Sequence, residues 1–446
     1  MLRSLFKSAK AEPAVATAAA PAAPATPAIP AAPAIEPGSA AAIAQARARY
    51  AAQPEDFDAL FGLAQQLAWT GQHAQAEPLL RRALAQRPAA QEVLHLLGFG
   101  LKALGRLDEA LAIGRLAVAA EPGASHTRVV LAQQLFLTEQ YREAFLHFRA
   151  RAGINGTLPE WTRALPRWQG EPLAGLRLLV WLDWGGIGDE LMFARYIPEL
   201  LRIHRPAELH WSVLPQNRRL LALVPGVNQV FAEAATLAVD RHIPLLELPC
   251  MFGTELASIP AATPYLHSDG ADRARWAQRL QALPGLKIGL CWASGHWNSD
   301  PEFERDRLAR SIPPEALAPL LRLPGVSLVS LQKGGAAPAG GVHDFSTELD
   351  DMAQTAALID NLDLVVSVDT SVAHLAAALG KPVLLLAAQG IGLFWGPRAR
   401  TPWYPTMRVL RQARAGEWTA EVAQAAALVG GWVRRGQVEL FEGLAP

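Results

Sequence analysis

The chain has 446 residues, 51% of them hydrophobic and 18% charged, with Lys+Arg and Asp+Glu each at 41. This length supports two or three domains with sizeable cores, and zero formal net charge gives no basic footprint for nucleic acid. Two cysteines, Cys250 and Cys291, exclude a disulfide framework or a CxxC site. Both stand beside apolar residues and are expected to be buried thiols in a reducing compartment.

Residues 1–40 are rich in Ala and Pro and cannot build a core, so a disordered, extended tether is expected. Their start, "MLRSLFK", carries positive charge, but no signal-peptide apolar region follows it. A weak membrane or partner anchor is the alternative to a loose terminus. No apolar run reaches transmembrane length, and a soluble, cytoplasmic protein is expected.

Residues 41–152 are periodic. Ala76, Ala110 and Ala144 are 34 apart, as are Leu63, Leu97 and Leu131; Pro88 and Pro122, and Gly71 and Gly105, keep the same interval. Each block predicts two amphipathic helices with a small residue where they cross and a proline closing the second. The pattern resembles tetratricopeptide repeats. One such unit cannot bury its apolar face, so three to four stacked units are expected, with "AAIAQARARYAAQP" as the second helix of an incomplete first one. Repeats predict the binding of a partner.

The period ends near residue 155 in a Pro-, Gly- and Trp-rich connector. Apolar runs then alternate with helical ones. "LRLLVWLDW", "AELHWSVLP" and "IPLLELPCMFG" read as strands of a first half over 153–275. "LKIGLCWASG", "VSLVSLQKGG", "LDLVVSVDTS" and "KPVLLLAAQ" read as strands of a second half over 276–446. Such alternation predicts two parallel sheets with both faces covered, and ligands outside the carboxyl ends of the strands. The last helix, "WTAEVAQAAALVGGWVRRG", is expected to lean across the cleft between the halves.

Between "NLDLVV" and "VLLLA" lies "SVDTSVAHLAAALGKP". Asp369 and Thr370 fall at a strand end, Thr370 or Ser371 at a helix N-cap, and His374 in the first helical turn. Free N–H groups and hydroxyls there suit a diphosphate, and His374 could donate to a phosphate oxygen. The plain alternative is a capped helix with a histidine in a polar niche. In "WGGIGDELMF", Gly185, Gly186 and Gly188 lie between strand and helix, with Asp189 at the helix start. The spacing is not GxGxxG, so a dinucleotide-binding dehydrogenase is disfavoured.

Taken together, "TAALIDNLDLVVSVDTSVAHLAAALGKPVLLL", the upstream "SLQKGG" and the downstream "TPWYPTMRVLRQ" resemble the C-terminal half of bacterial family 9 glycosyltransferases, the heptosyltransferase-like enzymes. The whole chain, over roughly 45–435, resembles bacterial proteins that join tetratricopeptide repeats to such a domain. The resemblance implies a GT-B fold of two Rossmann-like, doubly wound halves. It implies transfer of a sugar from a nucleoside diphosphate donor to a glycan or protein acceptor, with inversion and without a bound divalent ion or other cofactor. It places donor diphosphate binding on Asp369, Thr370, Ser371 and His374, and the catalytic base on Asp189, with Glu190 a less suitable substitute.

Lys333 after a strand and Arg310 in a long charged loop are candidates to steady the leaving diphosphate. Arg305 and Arg307 are alternatives to Arg310, and Asn298 and Ser311 could line the same loop. Trp184 and Trp292, at predicted strand ends, are candidates for stacking on a sugar, and Trp297 lies in the loop. Trp403 and Tyr404 are expected to pack at the domain junction. Two other readings remain: a non-catalytic repeat scaffold with a degenerate transferase domain, and, by arrangement alone, a protein acceptor as in O-linked N-acetylglucosamine transferases.

Overall fold

The structure is a computed structural model that describes residues 38–154, 159–232, 238–295, 301–334, 338, 340–389, 392–435 and 440–441. The chain divides into two compact units at Thr127/Arg128.

The first unit is helical: α1 (Ala40–Ala52), α2 (Phe57–Trp69), α3 (His73–Gln86), α4 (Gln91–Ala103), α5 (Leu107–Ala120) and the start of α6 (Ser125–Leu137). Leu60, Leu63, Leu67 and Ala68 fall at helical spacing on one face of α2. They share a core with Ala76, Leu80, Leu97 and Ala110, which include the positions that recur every 34 residues. Asp56 caps α2 by accepting from the Ala59 N–H at 2.8 Å, a contact that contributes about 1 kcal/mol. Gly71 and Gly105 close α2 and α4 with φ of +77° and +75°, which glycine adopts without a Cβ penalty. The repeat helices expected from the period are formed.

The second unit opens with the remainder of α6 and with α7 (Tyr141–Phe148). Between them Glu139 takes φ of +59° at the place where Gly105 and Gly71 stand one and two periods earlier. Its carboxylate pairs with Arg398 at 2.8 Å. The third repeat therefore keeps the left-handed turn but uses that position to reach the loop that follows the strand Val383–Ala387.

Two parallel sheets follow. The first has the order β3-β2-β1-β4, with β1 Arg177–Trp181, β2 Glu208–Ser212, β3 Gln229–Phe231 and β4 Arg241–Pro244. The second has the order β10-β9-β8-β5-β6-β7: β5 Leu286–Cys291, β6 Val326–Ser330, β7 Val342–Asp344, β8 Leu364–Val368, β9 Val383–Ala387 and β10 Met407–Arg411. Every ladder in both sheets is parallel, so the carboxyl ends of each sheet lie along one edge. The helices that matter for the site are α8 (Ile187–Phe193), α9 (Tyr196–His204), α10 (Gly270–Leu280), α11 (Pro301–Ala309), α12 (Met352–Ile359), α13 (Ser371–Ala378) and α14 (Thr419–Arg435). The architecture expected from the sequence, helical repeats followed by two parallel α/β halves, is present.

Three local expectations are corrected. The helix after the glycine turn starts at Ile187 instead of at Asp189, so Gly188 lies inside its first turn with Asp189 and not in the loop before it. "IPLLELPCMFG" is a strand only to Pro244; a 3-10 turn and a short helix then run to Met251, since its apolar run is buried as a turn and not as an extended edge. Helix α14 does not lean across a cleft. Val422, Ala425 and Val429 put it in the core of the second sheet with Ile288, Val366 and Leu386.

Candidate active site

At the end of β1 the chain turns through Gly185, at φ of +95°, and enters α8 at Gly186. A Cβ on Gly185 would come within 2.7 Å of Asp189 Oδ2, so the missing side chain is what lets Asp189 fold back over the turn. There Oδ2 accepts from the Gly186 N–H at 2.8 Å. Burial pushes the Asp189 carboxyl up to about 6; Asp369 adds to the shift, while the Gly186 N–H and Arg310 oppose it.

Gly188 serves a second close approach. A Cβ there would lie 2.8 Å from His374 Cδ2 and 3.4 Å from Ser371 Cα. The first turn of α8 is thus pressed against the first turn of α13. This contact brings the glycine turn of the first sheet onto the 369–374 turn of the second, two segments that are far apart in sequence.

On the second side, β8 ends at Val368 and Thr370 is the N-cap of α13, with extended φ and ψ of −146° and 169°. The Thr370 hydroxyl does not cap the helix. It lies 3.1 Å from Ser367 Oγ, turned toward the strand. The first N–H groups of α13 therefore carry no side-chain cap, beside the partly exposed Asp369, Thr370 and Ser371. Arg310 Nη1 donates to the Asp369 carbonyl oxygen at 3.3 Å. The Asp369 carboxylate lies under the loop that follows β9, where a Cβ on Gly392 would sit 3.2 Å from Oδ2. Among the described residues no N–H bonds that carboxylate.

His374 is 7% exposed. Its Nδ1 lies 3.0 Å from the Tyr404 hydroxyl, and its ring is 4.8 Å from that of Trp395 at an interplanar angle of 31°. Burial pushes its pKa down to about 4; Asp369 opposes this and Arg195 reinforces it. The imidazole is neutral at ordinary pH.

The structure thus brings together Gly185, Gly186, Gly188, Asp189, Arg310, Asp369, Thr370, Ser371 and His374. Other candidates go elsewhere. Lys333 Nζ donates to the carbonyl oxygens of Leu349 at 2.9 Å and Asp350 at 3.5 Å, tying the turn before α12. Trp292 is 3% exposed in the core of the second sheet, so its ring is not available for stacking. Trp184 is half-buried, edge-on to Phe148 at 5.3 Å. Glu190 is fully buried and accepts from Asn217 Nδ2 at 2.7 Å, bracing the turn after β2; burial pushes its pKa up to about 7.

Ser311 bonds the Arg307 carbonyl oxygen at 2.6 Å, and Arg307 pairs with Glu304 at 2.5 Å. Asn298, Trp297 and the Arg305 side chain lie outside the described residues. Cys291 is buried as expected; Cys250 is only half-buried, beside Arg149, and burial pushes its thiol up.

Sequence reasoning missed two groups. Asp183, between β1 and the glycine turn, pairs with Arg151 at 2.9 Å, with both side chains 2% exposed. Fully buried Glu247 meets Arg149, Arg151 and Arg167, so the segment after α7 clamps the base of the glycine turn. The second group is Arg195, 2% exposed at the α8–α9 junction, against Tyr265, Trp403 and Tyr404. Neither had a local sequence signal, because each is assembled from residues far apart in the chain.

Among the described residues no set of three or more His, Cys, Asp or Glu side chains could hold a metal ion, and no helix is long and apolar enough to cross a membrane.

Residues 348–415, which include the 369–374 turn, Trp403 and Tyr404, match the sequence model of glycosyltransferase family 9 (heptosyltransferase). The family resemblance read from the sequence is borne out in this region. The chain is 29% identical over 298 residues to protein FlbA of Caulobacter vibrioides, over 58% of the chain and 47% of FlbA. It thus spans about half the length of that curated relative.

Among solved structures, the ADP-heptose lps heptosyltransferase II of E. coli aligns over 58% of this chain and 99% of its own, at 15% identity and a TM-score of 0.41. A glycosyl transferase family 9 structure from Veillonella parvula covers 60% and 98%, at 12% identity and a TM-score of 0.41. A MamA structure (MSR-1) covers 25% of this chain and 65% of its own, less than two thirds, at 22% identity and a TM-score of 0.24.

Proposed function

We propose that the protein moves a glycosyl group from a nucleoside diphosphate sugar to a hydroxyl of a glycan or protein acceptor. The observation that carries this reading is the contact of α8 with α13, which sets a carboxylate with a raised pKa beside an uncapped helix start and Arg310. In the reaction the acceptor oxygen attacks the anomeric carbon as its proton passes to the Asp189 carboxylate. The bond from that carbon to the diphosphate breaks in the same displacement, which inverts the centre. The departing nucleoside diphosphate gains negative charge, met by the first N–H groups of α13, the Thr370 and Ser371 hydroxyls, His374 and Arg310. Lys333 contributes by holding the 349–350 turn. The repeats of the first unit recruit the acceptor or a protein partner, in the cytoplasm.

The test is a thermal-shift screen of the full chain against UDP-, ADP-, GDP- and CMP-sugars, with Arg310→Ala and His374→Ala alongside. A ligand at a hundred times its dissociation constant stabilises the fold by about 2.7 kcal/mol. One nucleotide class should raise Tm in the parent and fail to do so in the variants. No shift with any donor, in a folded sample, returns the chain to the non-catalytic scaffold reading.

A further inference from the structure

Arg195 is buried without an acid. Among the described residues it forms no ion pair. Its guanidinium instead donates to the carbonyl oxygens of Met192 at 2.8 Å, Trp403 at 2.5 Å and Pro260 at 3.3 Å, and to the Tyr265 hydroxyl at 3.1 Å. It also lies 4.5 Å from the centre of the Tyr404 ring.

The directions of these bonds are constrained, because guanidinium only donates. Tyr265, with its oxygen filled by Arg195, sends its own proton to the Leu191 carbonyl oxygen at 3.0 Å. The 3.4 Å contact between the two tyrosines runs from Tyr265 to the Tyr404 oxygen, so the acceptor left to the Tyr404 proton is His374 Nδ1 at 3.0 Å. Nδ1 is then an acceptor, and the one proton of the neutral ring belongs to Nε2.

Nε2 lies on the ring edge that faces Gly188. Among the described residues nothing bonds it, although the side chain is 7% exposed. Asp369, Arg195 and Tyr404 are the charged and titratable groups that act on this ring, and the other neighbours, Gly188 and Trp395, are uncharged.

We propose that Arg195 and Tyr404 are positioning residues that lock His374 as the Nε2–H tautomer, so that it offers the diphosphate of the donor a neutral, fixed hydrogen-bond donor. This rests on the transferase reading, and deepens it by naming what prepares the cradle. A neutral donor keeps its proton across the ordinary pH range, where an imidazolium would lose it.

The first readout needs no ligand. Long-range proton–nitrogen NMR on the full chain with 15N-labelled histidine, assigned by the signal missing in His374→Gln, should show Nδ1 bare and Nε2 protonated. Tyr404→Phe should convert this to a tautomer mixture. The second readout is binding of inorganic pyrophosphate and of the nucleoside diphosphate chosen by the donor screen. His374→Gln, whose amide nitrogen falls near Nε2, should bind on the order of tenfold more tightly than His374→Asn, whose nitrogen falls near Nδ1.

A protonated Nδ1 in the parent, an unchanged tautomer in Tyr404→Phe, or equal binding by the two His374 variants would each overturn the proposal. The expected tautomer in a protein that binds no nucleotide would instead remove the transferase reading and leave the lock standing.

Discussion

Asp189 is placed where its charge costs stability. Its pKa in the folded chain, about 6, lies above the ordinary 3.8, so the folded state holds a proton that the unfolded chain has released. The stability linked to this group is fully present below about pH 4 and is lost as pH rises through about 6. At pH 7 an amide in its place should relieve that cost while still accepting from Gly186. Asp189→Asn is expected to unfold at a higher temperature, by about 1–2 kcal/mol after allowing for the partial exposure of the side chain, and to turn over about 10²–10⁴-fold more slowly. Calorimetry at pH 4.5 and 7 checks the sign: the gain should be clearly larger at the higher pH. A variant less stable at pH 7 would show that the carboxylate is structural. At this scale the sequence was informative where one short segment holds the whole signal, as in the glycine turn and the DTS turn. It was silent on Arg195, whose partner carbonyl at Trp403 is 208 residues away. Trp292 was misread for a related reason. A tryptophan one residue past a strand faces core or cleft according to how its neighbours pack, and Ile312 and Leu317 close over it in this fold.

Between elements, the third repeat shows how a period bends to a new task. Gly71 and Gly105 make their turns freely, whereas Glu139 holds the same turn at φ of +59° and uses its side chain to pair with Arg398. A left-handed residue with a side chain costs on the order of 1 kcal/mol. Replacing Glu139 separates the two effects. Both Glu139→Ala and Glu139→Gly lose the ion pair, but only glycine releases the strain, so the glycine variant should be the more stable by about 1 kcal/mol in denaturant unfolding. Equal stabilities would mean that the turn is not strained. The 34-residue period was legible because it is carried by core positions such as Leu63, Leu97, Ala76 and Ala110. The departure at Glu139 was not, since an ordinary surface residue in an amphipathic pattern carries no mark of its backbone angle.

On the scale of the molecule, the compact division falls inside α6, at Thr127/Arg128, although the period continues to the end of α7. Aromatic side chains explain why. Phe136 and Phe145 of the third repeat pack edge-on to Phe394 at 4.9 Å and to Phe193 at 6.1 Å, and Trp403 Nε1 donates to the Tyr141 hydroxyl at 3.3 Å. A chain beginning at residue 124 should therefore fold with a cooperative transition of the second unit, while one beginning at residue 159 should expose these rings and aggregate. Light scattering and circular dichroism of the two shortened proteins decide it, and equal behaviour would mean that the third repeat is only attached. The parallel sheets could be read from alternating apolar and helical runs, but the seam could not, because periodicity reports how each helix is built and not which core it joins. The placement of that seam constrains how such a protein can change length over generations. Repeats added or removed ahead of Ser125 would leave the second unit's core intact, whereas a change in the pair beside Phe193 and Trp403 would also disturb that core.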